Sequence, residues 1–177
     1  MLLGSSAVVA QKDYIIKLSG DTVYGDIIAD NYDRVNFKAS NGTEGMKFKA
    51  NEILGYYKNK KNATYHRVNR SLEKDRFSLL PAIVQGKINL YEYVVQSGMY
   101  TANVSYFASK NGKDFFEIKN NSFYGVFGRS ERQKDALYEL LKDNEAISQK
   151  YITENKTSIK NLIKIIEEYN FSMAAVK

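Results

Sequence analysis

The sequence predicts an α+β protein: an N-terminal antiparallel β-barrel or sandwich of about ten strands, followed by two or three C-terminal helices. Three observations carry this expectation. From Asp13 onward, short segments of alternating apolar and polar residues recur between turn signals. The connections are short, which favours sequential antiparallel hairpins over crossovers. At Gly128 the apolar residues change to helical spacing.

The first strand alternates Tyr14, Ile16 and Leu18 with Ile15 and Lys17, and Ser19-Gly20-Asp21 turns it into Thr22 to Ala29. A second hairpin pairs Val35 and Phe37 with Met46 and Phe48 across Ser40-Asn41-Gly42. One face of this hairpin is apolar, and the other carries Lys38, Lys47 and Lys49, as a half-buried antiparallel sheet requires. Glu52 to Lys58 and Thr64 to Arg70 follow as strands around a basic loop at Lys58, Lys60 and Lys61, and Ser71 to Asp75 is a break. Phe77 to Val84 and Lys87 to Gln96 meet at Gln85-Gly86, with the one proline, Pro81, marking a bulge or edge position. Tyr100 to Ala108 and Asp114 to Lys119 flank the turn signal Asn111-Gly112.

Ser130-Glu131-Arg132-Gln133 is a capping box ahead of Ala136, Leu137, Leu140 and Leu141. Asn144 to Thr153 supplies a second helix, and Thr157 or Ser158 caps a third containing Ile159, Leu162, Ile163, Ile166 and Tyr169. The chain therefore divides into an N-terminal stretch at 1–10, a β region at 11–127 and a helical region at 128–177.

Composition narrows the function classes. At 177 residues the chain holds one domain, or a domain with a helical appendage. It has no Cys, which removes disulfides, thiolate catalysis and Cys-type zinc sites together. The net charge of +6 is diffuse. Residues 11–127 carry 17 basic and 12 acidic side chains, and residues 128–177 carry 9 and 8. No concentrated nucleic-acid footprint emerges. Met1 to Gln11, MLLGSSAVVAQ, reads as the end of an export signal with cleavage after Ala10, which places the protein in the periplasm or outside the cell.

No motif for a cofactor or metal is present, and His66 is the only histidine. The aromatic content is more informative, with 14 Tyr and no Trp. Tyrosine combines an apolar face with a polar tip, which suits sugar stacking and protein interfaces. Tyr91 and Tyr93 share one face of their strand and are candidate contacts, and Lys38, Lys47 and Lys49 are a candidate anion-binding stripe.

Two resemblances add to this reading. Leu18-Ser19-Gly20-Asp21-Thr22-Val23-Tyr24-Gly25-Asp26-Ile27-Ile28, with Val35-Asn36-Phe37 and Ile53-Leu54-Gly55-Tyr56-Tyr57, resembles the strand grammar of Sm-like small barrels. The resemblance implies a small, strongly bent β-barrel. The family's RNA-contacting arginine is replaced by Leu54, and its asparagine is displaced at Asn36, so the RNA chemistry does not carry over. More broadly, the order of the signal remnant, Gly20-Asp21-Thr22-Val23-Tyr24-Gly25, Asn51-Glu52-Ile53-Leu54-Gly55-Tyr56, Gln85-Gly86-Lys87-Ile88-Asn89-Leu90-Tyr91-Glu92-Tyr93 and a helical C-terminus resembles uncharacterised secreted β-rich proteins of Bacteroidota. That resemblance implies an envelope location and makes Thr22, in Asp21-Thr22-Val23, a candidate O-glycosylation acceptor.

The expected function is a non-enzymatic exported envelope protein that binds a glycan or a protein partner. A hydrolase of an envelope polymer and a nucleic-acid-binding small barrel are the alternatives. The first needs carboxylates gathered in a cleft and the second a continuous basic face.

Overall fold

A computed structural model describes residues 12–71, 74–96, 101–110, 112, 114–120, 131–154 and 158–175. The Met1–Gln11 stretch, the Phe127–Gly128 boundary and Ser130 of the capping box lie outside these residues.

The strands are β1 (Asp13–Lys17), β2 (Thr22–Asp30), β3 (Arg34–Ala39), β4 (Met46–Lys49), β5 (Ile53–Lys58), β6 (Ala63–Asn69), β7 (Phe77–Val84), β8 (Ile88–Gln96), β9 (Ala102–Lys110) and β10 (Asp114–Asn120). They form one antiparallel sheet in the order β10-β9-β8-β7-β6-β5-β1-β2-β3-β4. Its edges, β10 and β4, do not pair with each other, so the sheet is not closed into the barrel that the sequence allows. It is nevertheless strongly coiled. Ile15, Val35, Phe37, Ile53, Tyr56, Tyr65 and Leu79, from five different strands, share one core with no helix over it. A flat sheet cannot bring these residues together.

Two glycines permit this coiling. A Cβ on Gly25 would overlap the Lys38 carbonyl and the Phe37 ring, and a Cβ on Gly55 would overlap the Tyr65 carbonyl. Both mark places where neighbouring strands approach more closely than any side chain allows.

The coil ends at β7, which is shared between two halves of the sheet. Phe77–Pro81 pairs with β6, whereas only Ala82 and Val84 pair with β8 across a register shift. Pro81 stands next to the changeover, where its missing N–H costs little. The β2–β3 turn enters the fork: the Leu79 N–H donates to the Tyr32 carbonyl at 2.7 Å, and the Val94 N–H donates to the Tyr32 hydroxyl at 3.3 Å. Below the turn, the Tyr56 hydroxyl donates to Asp30 at 2.9 Å and Lys58 forms an ion pair with the same carboxylate, tying β2 to β5.

The helices α1 (Glu131–Leu141), α2 (Glu145–Glu154) and α3 (Ile159–Ala174) cover the second half of the sheet. Leu137, Leu141, Leu162, Ile166 and Tyr169 pack onto Ile88, Leu90, Ala108 and Ile118. Ser158 is the cap of α3 and accepts from the Asn161 N–H. Asn170 copies a strand: its carbonyl accepts from the Ile88 N–H and its amide donates to the Ile88 carbonyl, both at 2.8 Å. Asp143, after α1, accepts from the Tyr169 hydroxyl at 2.8 Å and pairs with Lys110 at 2.7 Å. No helix among the described residues is long and apolar enough to cross a membrane.

Tyr32→Phe is expected to lower stability in urea unfolding by about 1 kcal/mol, the usual net worth of one hydrogen bond. Gly25→Ala is expected to cost about 1–3 kcal/mol through overpacking against β3. An equal, negligible effect of both would show that the coil does not depend on these contacts.

Burial alone pushes the Asp30 carboxyl up, but hydrogen bonds from Lys58 and Tyr56 and the Lys58 and Lys61 charges hold it below the usual carboxylate range. Its stabilisation is therefore present above the unfolded-state value near 4 and is lost as pH falls through the lower folded-state value. Asp30→Asn should flatten the acid limb of urea midpoints measured between pH 5 and pH 2.

Candidate anion-binding site

Alternation along β3 and β4 sends Val35, Phe37 and Phe48 to the core and the intervening residues outward. The register then places Arg34 opposite Lys49 and Asn36 opposite Lys47. Like charges directly opposite one another destabilise a strand pair, so the Arg34–Lys49 juxtaposition needs an offsetting interaction.

Arg34, Lys47 and Lys49 line one wall of a groove of about 540 Å³. The other wall comes from the β6–β7 connection, through Arg70, Arg76 and Phe77, and Asp33 and Asp75 also line it. The groove thus runs between the β3–β4 hairpin and the β6–β7 connection. Among the described residues it gathers five cations against two carboxylates. Arg70 is held in place: its Nε donates to the Ser78 hydroxyl at 2.8 Å, and its guanidinium lies 4.2 Å from the centre of the Tyr93 ring. Among the described residues, Arg34, Lys47, Lys49 and Arg76 have no ion-pair partner within 4 Å.

The groove is suited to side-chain recognition rather than strand addition. The Lys49 N–H donates to the Glu52 carboxylate at 2.8 Å, and the Lys49 carbonyl accepts from the Glu52 N–H at 3.0 Å. The free edge of the four-residue β4 is therefore closed at this end.

The structure separates the sequence-derived candidates. Lys47 and Lys49 line the groove, while Lys38 lies outside it on the same outward face, opposite Asp26 of β2. Tyr93 borders the groove indirectly, as the support of Arg70. Tyr91 is only 1% exposed and packs edge-on against His66 and Phe115 at 5.5 and 5.9 Å between ring centres, so it is a core ring. Burial pushes its hydroxyl up to about 12. Thr22 is exposed at the start of β2 and takes no part in the groove. Arg34 was not among the sequence candidates, although alternation with Val35 sends it outward. Arg70 and Arg76 flank a break in the strand pattern, where alternation assigns no face.

A second cavity, of about 250 Å³, lies on the other side of the β2–β3 turn against Asp30, Tyr32, Tyr56, Lys61 and Tyr65. The Tyr56 and Tyr65 rings stack at 4.4 Å and both are buried, and the Asp30 carboxylate is already committed to Lys58 and Tyr56. Little chemistry is left there for a ligand. Among the described residues no group of three or more acidic or histidine side chains converges to hold a metal.

His66 stands on β6 opposite Leu80, with its Nε2 buried and without a partner among the described residues. Burial holds the imidazole below its ordinary value. A histidine whose folded-state value is depressed contributes stability that is complete above the unfolded-state value of about 6.5 and falls away as pH drops through the folded-state value. Urea midpoints should decline from pH 7 to pH 5, and His66→Phe should remove that decline; a decline unchanged in the variant would assign it to other groups.

No family model matches this chain, and neither the curated proteins nor the solved structures searched gave a match to it.

Proposed function

We propose that the protein is a non-enzymatic component of the cell envelope that binds an acidic glycan in the seam between β4 and the β6–β7 connection. The observation that carries this reading is the set of four cations, Arg34, Lys47, Lys49 and Arg76, that face one groove without ion-pair partners among the described residues. A carboxylated or sulfated sugar supplies the missing negative charge and adds hydroxyls that can meet Asp33, Asn51 and Asp75. Among the described residues Phe77 is the one aromatic ring lining the groove itself, and it is half-buried. The exported location rests on the sequence of Met1 to Gln11.

Titration with a uronic-acid-rich polysaccharide should show binding that weakens as salt rises, since opposite charges in solvent are screened. The double variant Arg34→Ala/Lys47→Ala should lose about tenfold or more in affinity, because each charged hydrogen bond is worth about 1.5–3 kcal/mol. Unchanged binding by the double variant, or tighter binding to single-stranded DNA than to the polysaccharide, overturns the reading.

A further inference from the structure

A row of three tyrosines crosses the outward face of the first half of the sheet, one strand beyond the basic stripe. The register places Tyr14 of β1 directly opposite both Tyr24 of β2 and Tyr57 of β5. Tyr14 stacks on Tyr57 with ring centres 5.3 Å apart and 18° between planes, and meets Tyr24 edge-on at 5.8 Å. The members of the row differ in what holds them. Tyr57 is buried and donates its hydroxyl to Asn62 at 2.9 Å, so packing accounts for it. Tyr24 is 54% exposed, and among the described residues the hydroxyls of Tyr14 and Tyr24 have no hydrogen-bond partner.

The row adjoins Lys38, the member of the basic stripe that lies outside the groove. Asp26 of β2 is opposite Lys38 of β3, and the Ser40 N–H donates to the Tyr24 carbonyl, so Tyr24 is the diagonal neighbour of Lys38 on one face. Adjacent strands are about 4.8 Å apart and diagonal side chains about 7 Å, a step comparable to one sugar unit.

We infer that Tyr24, backed by Tyr14 and Tyr57, is a stacking platform for a neutral pyranose next to an acidic unit held at Lys38. This rests on the acidic-glycan reading and adds to it the composition of the ligand: acidic and neutral sugars in alternation. The apolar face of a pyranose presents C–H groups with partial positive charge, which the electron-rich face of a phenol ring attracts. The contact with Tyr14 fixes the Tyr24 ring in advance, and the free hydroxyls of both offer hydrogen bonds to ring substituents.

Calorimetry with two oligosaccharides of equal charge tests the inference: one alternating uronic acid with N-acetylhexosamine, the other a homopolymeric uronate. Wild-type protein should bind the alternating chain more tightly. Tyr24→Ala should weaken that binding about three- to tenfold, as expected of one aromatic contact, and leave the homopolymer unchanged. Tyr24→Phe should retain most of the affinity, because the ring is kept. Equal effects of Tyr24→Ala on both chains, or none on either, overturn the platform while leaving the groove reading intact if Arg34→Ala/Lys47→Ala still weakens binding. Failure of both chains to bind wild-type protein overturns both readings. A larger loss for oligo-dT than for the alternating chain replaces the sugar with a nucleobase and overturns the inference as well.

Discussion

The arrangement of the molecule follows from one constraint: β7 pairs with two different strands along its length. Its first five residues belong to β6 and its last few to β8, so between them one edge of β7 is left with main-chain groups to satisfy. Tyr32 fills that opening with its carbonyl on Leu79 and its hydroxyl on Val94. An unpaired N–H buried at this fork would cost free energy comparable to a lost hydrogen bond. By satisfying it, the β2–β3 turn fixes how tightly the first half of the sheet coils. The coil determines where β4 stops short of the β6–β7 connection, and that distance is the groove.

Charge and curvature are thus linked through the backbone. A sheet closed into a barrel would bury the outer edge of β4 and leave no seam, and a flat one would carry Arg76 far from Lys47. The close approaches at Gly25 and Gly55 place the coil between these extremes. Arg70 belongs to both systems, since Ser78 and Tyr93 hold it on the core side while its charge contributes to the groove.

The ten strands and three helices were legible because half-buried strands and amphipathic helices write their periods into the sequence. Lys47 and Lys49 were legible for the same reason, as the outward partners of Phe48. Tyr91 shows the limit of that logic. Alternation places it on one face with Tyr93, but it does not reveal that the ring is sealed in against His66 and Phe115. The fork at β7 was hidden because it depends on a carbonyl and a main-chain N–H, which carry no residue-specific signal, and only Pro81 hinted at an irregularity there. Open seams follow from curvature, which depends on contacts between residues far apart in the chain, such as Tyr32 with Val94.

The pairing of Asn170 with Ile88 has a temporal consequence. The core of the coiled half draws on no residue later than Leu79, so in a chain delivered N-terminus first it is complete as a set once β7 has emerged. The other half must wait for Leu162, Ile166 and Tyr169, and its anchoring amide joins residues 82 positions apart. Until those helices arrive, Ile88, Leu90, Ala108 and Ile118 lack their cover. The two halves of one sheet therefore differ in when they can fold, and the later half is the one that relies on protection while it waits.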